Sequence, residues 1–204
     1  MEIKEPIVYG NYYHIYNRGN NSCDIFLDNN NYVHFLNLYS KYIEPIAETY
    51  AWCLLKNHFH ILVRIKEESE INPKDLSYRT IKKPTVIDPS RQFSHFFNAY
   101  TQAINKRHKR TGSLFEGTFE RKLVTSEKYF QQLIYYIHNN PVHHGFVKLA
   151  SLYPWSSYNT VISHKFTKLK REQVVEKFGD LENFIFYHNQ NQNLKEIEGL
   201  IIEY

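Results

Sequence analysis

The 204-residue sequence predicts an α+β fold, because segments with strand composition alternate with segments whose apolar residues recur at helical spacing. The strand-like segments are 12–16, 50–65 and 113–125. The helical segments are 28–43, 91–110 and 127–140. Few tight-turn signals separate the strands, which favours a sheet whose strands are linked through helices.

The composition is typical of a protein with one core that stays in a reducing compartment. A chain of 204 residues with 42% hydrophobic residues can bury one core, and no apolar run reaches the roughly 18 residues of a membrane-spanning helix. Cys23 and Cys53 lack the paired spacing of a disulfide framework or a cysteine metal site. We therefore expect a cytoplasmic protein without a membrane segment. The net charge of +4 is compatible with a polyanionic partner but too small to indicate one.

The first half of the chain alternates strand, helix and strand. Residues 12–16 predict a strand that ends at the Asn- and Gly-containing turn 17–21. A helix is predicted over 28–43, with capping residues at its start and Pro45 as a stop. Its apolar positions are Tyr32, Phe35, Leu36, Tyr39 and Ile43. Residues 50–65 predict either one long strand or two strands joined near Lys56 and Asn57.

The second half begins with a polar connection over 66–90, whose length is typical of a functional loop. The next predicted helix starts at Arg91 and ends in a cluster of basic residues. Residues 113–125 predict a further strand. The helix that follows, over 127–140, is expected to stop near Pro141.

The composition changes after Tyr158, first to a Lys-rich stretch and then to an acidic one. A helix is predicted around 171–186. We therefore expect one domain over 1–163 and a helical extension over 164–204.

A His-x-His pair lies in the central strand-like segment. Because successive side chains of a strand point to opposite faces, His58 and His60 share one face and Phe59 lies on the other. Two imidazoles on one rigid strand can converge on a single cation. A bare pair of this kind more often lines a polar sheet surface, so both interpretations stay open on this pattern alone.

The helix predicted over 127–140 carries a second candidate group. Tyr136 and Asn140 lie together on the shoulder of its buried stripe, whereas Tyr135 points nearly away from that stripe. A phenol and an amide one turn apart can reach one metal-bound phosphate. Packing is the commoner role of a tyrosine at such a position, so this helix alone does not decide between the two roles.

Taken together, these residues resemble the HUH superfamily of single-strand DNA endonucleases, and within it the REP-associated branch of the single-tyrosine transposases. His58-Phe59-His60 fits the His-hydrophobic-His triplet that names the superfamily. The similarity extends from about Tyr12 to Tyr158. The branch also has a characteristic Tyr-Ile-His-x-Asn-Pro-Val motif. It looks like the segment Tyr136-Ile137-His138-Asn139-Asn140-Pro141-Val142 of this sequence.

The resemblance implies a ferredoxin-like core, with a central antiparallel sheet flanked by helices, to which the composition adds the C-terminal helical extension. It also implies a divalent metal held by His58, His60 and Asn140, with Tyr136 as the nucleophile. A phenol with a pKa near 10 is only about 0.1% ionised at neutral pH, so its attack on a phosphodiester needs a cation that polarises the phosphate. Nitrogen and oxygen ligands suit Mg²⁺ or Mn²⁺, and Zn²⁺ stays open. The expected product is a 5′-phosphotyrosine and a free 3′-hydroxyl on single-stranded or hairpin DNA.

Basic residues in the first turn, at the end of the second predicted helix and on the strand after it are candidates for contacts with the DNA backbone. They are Arg18, Lys106, Arg107, Lys109, Arg110, Arg121 and Lys122. A solvated helix end is the alternative for the helical cluster. Two other functions also stay open: a DNA-binding protein of the same fold that no longer cleaves, and a zinc hydrolase that leaves Tyr136 without a role. A monomer is favoured over a homodimer.

Overall fold

The computed structural model describes residues 6–76, 87–192 and 194. Within them lies a sheet in the order β2-β3-β1-β4, and each neighbouring pair of strands is antiparallel. The strands are β1 (Tyr12–Arg18), β2 (Ala47–Leu54), β3 (His58–Ile65) and β4 (Glu120–Leu123). The segment 50–65 is therefore two strands, because the chain reverses where Leu55 N–H donates to the His58 carbonyl oxygen over 2.8 Å.

Two helices, α1 (Asn29–Tyr42) and α2 (Pro89–Arg107), connect the strands and cover one face of the sheet. The first joins β1 to β2, and the second joins β3 to β4. Asp28 caps α1, since its carboxylate accepts a hydrogen bond from Asn31 N–H over 3.0 Å. This connectivity and strand order are those of a ferredoxin-like fold, and the expected fold class is confirmed.

The opposite face is covered by α3 (Glu127–His143), whose start is capped by Ser126. The helix was expected to stop near Pro141 and ends at His143, so the proline lies in its last turn. The chain then turns at Gly145, whose φ of +71° lies in the left-handed region that favours glycine.

The alternation of side chains gives the sheet two chemically different faces. Towards α1 and α2 it presents apolar side chains such as Ile15 and Phe59, which belong to the larger core. Towards α3 it presents imidazoles, those of His14, His58 and His60, and all three are buried. The strand period thus places His58 and His60 together and Phe59 opposite, as predicted.

The strand predicted over 113–125 is shorter in the structure, where only β4 pairs with β1. The preceding residues form a loop that is tied to the first turn by a hydrogen bond from Asn20 N–H to the Leu114 carbonyl oxygen, over 2.9 Å. Leu114 and Phe115 are buried there without belonging to a strand. Phe115 forms one isolated antiparallel bridge with Gly19, so the apolar character of these residues reflects burial and not a continuous strand.

The helix predicted around 171–186 is in fact two helices, α5 (Arg171–Lys177) and α6 (Leu181–His188), which follow the single-turn α4 (Tyr158–Val161). They are separated at Gly179, whose φ is +90°. A continuous helix cannot contain this backbone conformation, so the chain changes direction between α5 and α6.

The connection over 66–90 is described in part, and residues 77–86 lie outside the described residues. Its described part includes a 3-10 turn at Glu68–Glu70. The functional role of this connection stays a prediction. Cys23 and Cys53 are free thiols.

The helices of the described part of the chain include none that is both long and apolar enough to cross a membrane.

Candidate active site

His58 and Asn140 meet between β3 and α3. Both side chains are buried. Nε2 of His58 lies 3.0 Å from Oδ1 of Asn140. Two adjacent ligand atoms, each about 2.1 Å from one octahedral ion, are about 3 Å apart. The observed spacing therefore matches that of two ligands of one cation.

Both ring nitrogens of His58 face amide oxygens. Burial lowers the pKa of His58 to about 4, so the ring is neutral at pH 7. Its Nδ1 lies 2.8 Å from Oδ1 of Asn57 and its Nε2 faces Oδ1 of Asn140; both oxygens can only accept, so the single proton of the neutral ring satisfies only one of them. With the proton on Nδ1, Asn57 accepts it. Nε2 then directs a lone pair at Asn140 Oδ1, while the buried Asn140 Nδ2 has no hydrogen-bond partner among the described residues. A cation between the two acceptors would satisfy both, so these residues fit a divalent metal.

His60 contacts a second histidine, His14 on β1. Nε2 of His14 lies 3.0 Å from Nδ1 of His60. Burial lowers the pKa of His14 to about 3 and holds the pKa of His60 well below its usual range. Because His14 engages Nδ1, His60 would reach a metal through Nε2. Metal-binding histidines commonly have such a partner on the other ring nitrogen.

Tyr136 lies against these imidazoles. Its ring centroid is 5.2 Å from that of His60 and 6.3 Å from that of His14, and its side chain is 4% exposed. Tyr135 faces the other side of α3, where its ring lies 5.8 Å from that of Tyr187 on α6. The structure thus brings Tyr136, His58, His60 and Asn140 together, and it separates the two neighbouring tyrosines.

The candidate ligand set is poor in the usual metal-binding side chains. Among residues 6–76, 87–192 and 194, no three His, Cys, Asp or Glu side chains form a group that could hold a metal ion. A site here depends on the amide oxygen of Asn140 as the third ligand. Such a set leaves room for oxygen ligands from substrate or water, which suits Mg²⁺ or Mn²⁺ better than a closed structural zinc site.

Two of the predicted DNA contacts lie on the face of the sheet that carries the histidines. Arg18 is directly opposite His58 in the sheet, and Lys122 is directly opposite His14. Residues directly opposite each other in antiparallel strands share a face. Arg121 lies on the other face, with its guanidinium 5.3 Å from an aromatic ring centroid. Neighbours on β4 therefore differ in access to the site.

The other predicted DNA contacts cluster at the end of α2. Lys106 and Lys109 are exposed. Arg107 forms an ion pair with the aspartate that caps α1, over 2.9 Å, and Arg110 lies 3.6 Å from a cysteine sulfur. The cluster thus contains both exposed charges and charges with a protein partner, and its role in DNA binding stays a prediction.

Three residues of the site carry no role in the sequence-based prediction: His14, Asn57 and His144. The exposed His144 follows α3 and places its ring centroid 5.0 Å from that of His58. The period of β1 puts His14 on one face of its strand, but only the pairing with β3 brings it to His60. Such contacts between elements leave no local signal in the sequence.

The chain has relatives among known proteins, although no family model matches it. A Haemophilus influenzae protein, provisionally named a REP-associated tyrosine transposase, is 26% identical over 113 residues, which are 55% of this chain and 59% of that protein. The match thus spans less than two thirds of the relative. A solved structure of a REP-associated tyrosine transposase bound to a REP hairpin has a TM-score of 0.59 at 17% identity, and the match covers 80% of this chain and 86% of that chain. A bacterial tRNA(His) guanylyltransferase-like protein with ATP reaches a TM-score of only 0.41 at 10% identity, over 88% of this chain and 74% of that chain.

The relative in sequence and the neighbour in fold both bear the description that the His-hydrophobic-His triplet and the tyrosine helix led us to expect. The predicted resemblance is therefore confirmed: the chain is similar in sequence to one REP-associated tyrosine transposase and similar in fold to a solved one.

Proposed function

We propose that the chain is a metal-dependent endonuclease and strand transferase for single-stranded DNA, in which Tyr136 becomes linked to a 5′ phosphate. The observation that carries the proposal is the position of Tyr136, 5.2 Å from His60 between ring centroids and beside the His58–Asn140 pair. These groups come from β3 and α3, which are distant in sequence. The similarity to a tyrosine transposase supports this chemistry.

The reaction is a transesterification. Tyr136 gives its phenolic proton to water, and its oxygen attacks the phosphorus of a phosphodiester. The bond from phosphorus to the 3′ oxygen breaks, this oxygen takes a proton and leaves as a hydroxyl, and the 5′ phosphate stays on Tyr136. Because the ester bond is conserved, a 3′-hydroxyl can attack the phosphotyrosine and rejoin a strand without an external energy source.

His58, His60 and Asn140 would hold the divalent metal, Mg²⁺ or Mn²⁺. When bound, such an ion polarises the phosphate and offsets the charge that develops on it. Asn57 orients the ring of His58, and His14 orients the ring of His60, in each case by a contact with Nδ1 of that ring. Asn140 and Tyr136 are one helical turn apart on α3, so the helix keeps the third ligand and the nucleophile in a constant relation.

Single-stranded DNA with a hairpin is the proposed substrate. The solved transposase of similar fold is bound to a REP hairpin, and we extend hairpin recognition to this chain. Arg18 and Lys122 lie on the site face, and Lys106 and Lys109 supply exposed charge at the end of α2. Arg18 is ion-paired with Glu116, so a DNA phosphate would have to replace this carboxylate.

We expect the protein to act as a monomer in the cytoplasm.

A DNA-binding protein of the same fold that does not cleave is the second candidate. The observation that favours it is the burial of Tyr136, which is 4% exposed. Attack requires the phenol to reach a phosphate, so DNA binding must displace a covering group; the exposed His143, whose ring centroid lies 6.4 Å from that of Tyr136, is one candidate. An inactive protein would have no need for this movement.

A covalent-adduct experiment separates the two candidates. The protein and the variants Tyr136→Phe and Tyr135→Phe are incubated with labelled hairpin-tailed single-stranded DNA and Mn²⁺, then denatured. Tyr135 is the matched control, because it is the adjacent residue of the same helix, is equally buried, and faces α6 instead of the histidines of the sheet. We expect an adduct with the wild type and with Tyr135→Phe, and none with Tyr136→Phe.

Two other results would contradict the proposal. If every tested hairpin binds and none forms an adduct, the chain is a non-cleaving DNA-binding protein. If Tyr136→Phe still forms the adduct and Tyr135→Phe does not, the nucleophile is Tyr135.

A further inference from the structure

The outer side of α3, which faces away from the sheet, is covered by the C-terminal helix α6. The ring of Tyr135 contacts Tyr187 at 5.8 Å and His188 at 5.8 Å, measured between centroids. Phe184 of α6 is fully buried and lies 5.9 Å from His138 of α3. The helix that carries Tyr136 is therefore enclosed between the sheet and a segment of the extension.

A chain of buried hydrogen bonds crosses this contact. His188 Nδ1 lies 2.8 Å from the Phe184 carbonyl oxygen, and His188 Nε2 lies 3.0 Å from His138 Nδ1. His138 Nε2 lies 2.8 Å from Ser157 Oγ, which accepts from Trp52 N–H on β2 over 2.9 Å. This network of hydrogen bonds thus connects α6 to α3 and then to the sheet.

Once the proton of His188 is placed on Nδ1, the direction of every other bond in this hydrogen-bond network follows. A carbonyl oxygen only accepts, so His188 Nδ1–H is the donor and Nε2 of the neutral ring must accept. His138 then donates from Nδ1 and accepts at Nε2 from the Ser157 hydroxyl. Each donor meets one acceptor, and a complete buried network of this kind holds its members in one arrangement.

This arrangement bears on the nucleophile because His138 and Tyr136 lie on opposite sides of one helix. His138 is 0% exposed and directed at α6, whereas Tyr136 and Asn140 face the histidines of the sheet. A rotation of α3 about its axis would move all three side chains together. A contact that prevents this rotation therefore also sets the position of the phenol and of the amide.

We propose that residues 171–188 are a brace for the nucleophile helix, with His188 as a positioning residue that acts through His138 on Tyr136 and Asn140. The inference rests on the proposed function for its effect on rate. It assigns to residues 171–188 a part in catalysis through their contact with α3.

The test compares His188→Leu, which removes the acceptor for His138, with His188→Gln, whose amide oxygen restores one. In the 204-residue protein at saturating hairpin DNA and Mn²⁺, we expect His188→Leu to slow single-turnover adduct formation about 10- to 100-fold, with DNA affinity unchanged. His188→Gln should recover most of that rate. Phe186→Leu is the matched control, since Phe186 is on the same helix and 65% exposed, and it should behave as the wild type.

Two additions make the outcome decisive. Ser157→Ala removes the hydroxyl donor at the other end of the hydrogen-bond network and provides the test if His188→Leu does not fold. Its rate of adduct formation should fall in the same way. Hydrogen exchange of the α3 amides is measured without DNA and should accelerate in His188→Leu and in Ser157→Ala. This readout does not need an adduct, so it distinguishes failure of the proposed function from failure of the brace. Wild-type adduct rates and wild-type exchange in folded variants would overturn the brace.

Discussion

His14 is fully buried on β1, and its Nε2 lies 3.0 Å from Nδ1 of His60. If His60 offers the lone pair of Nε2 to a metal, its proton must be on Nδ1, where His14 can accept it. His14 then selects the metal-binding tautomer of His60. Asn57 has the same relation to His58, because its amide oxygen lies 2.8 Å from Nδ1 and can accept its proton.

Replacement of His14 tests this role. We expect His14→Phe to weaken Mn²⁺ binding about 10- to 100-fold, because the outer partner of one ligand is lost. The measurement is a calorimetric titration of the folded variant with Mn²⁺ in the absence of DNA. His34→Phe is the control, since His34 is a partly exposed histidine on α1, on the other side of the sheet. Equal Mn²⁺ affinity for His14→Phe and the wild type would exclude a positioning role for His14.

Lys122 and Arg121 form a matched pair for DNA binding, because these neighbours on β4 point to opposite faces of the sheet. We expect Lys122→Gln to weaken binding of hairpin DNA and to reduce the slope of log affinity against log salt by about 1. Arg121→Gln should leave this slope unchanged. The measurement is a fluorescence-anisotropy titration at several salt concentrations. A larger effect of Arg121→Gln would mean that DNA does not follow the site face.

The break between α5 and α6 is the element on which the brace depends, and Gly179 makes it possible. Its φ of +90° is a conformation that residues with a side chain rarely adopt. We expect Gly179→Ala to lower the free energy of unfolding by about 1–2 kcal/mol, the usual cost of left-handed backbone for such a residue. Gly179→Asn should lose less, because asparagine tolerates this region better. Denaturant unfolding measures both, and equal stability of Gly179→Ala and the wild type would contradict the assignment.

In the part of the chain that the structure describes, several buried imidazoles with lowered pKa values lie around α3. The buried rings for which burial lowers the pKa are those of His14, His58, His60, His138 and His188. Each ring binds a proton more readily in the unfolded chain, where the pKa is near 6.5. Between pH 6.5 and the pKa of the folded state, the unfolded chain therefore holds more protons, and the native state loses stability as the pH falls.

The free energy of unfolding is accordingly expected to be highest near neutral pH and to fall steeply towards pH 4. Burial lowers the pKa of His188 to about 4, and this ring alone contributes a loss of about 3 kcal/mol between pH 7 and pH 4. Urea unfolding at pH 7, 6 and 5 measures the slope. In His188→Gln, which has no titrating group at this position, the slope should be smaller. A stability that stays constant from pH 7 to pH 5 would show that these rings are not buried as neutral groups.

The sequence alone determined the local features, because each of them depends on side chains that are close along the chain. The shared face of His58 and His60 follows from the period of a strand, and the positions of Tyr136 and Asn140 follow from the period of a helix. The tertiary structure alone decided the rest. It divided 50–65 into two strands, broke the C-terminal helix at Gly179 and shortened the strand predicted over 113–125. It also brought His14 to His60 and α6 to the back of α3, since contacts between distant segments depend on how the elements pack and not on any local pattern.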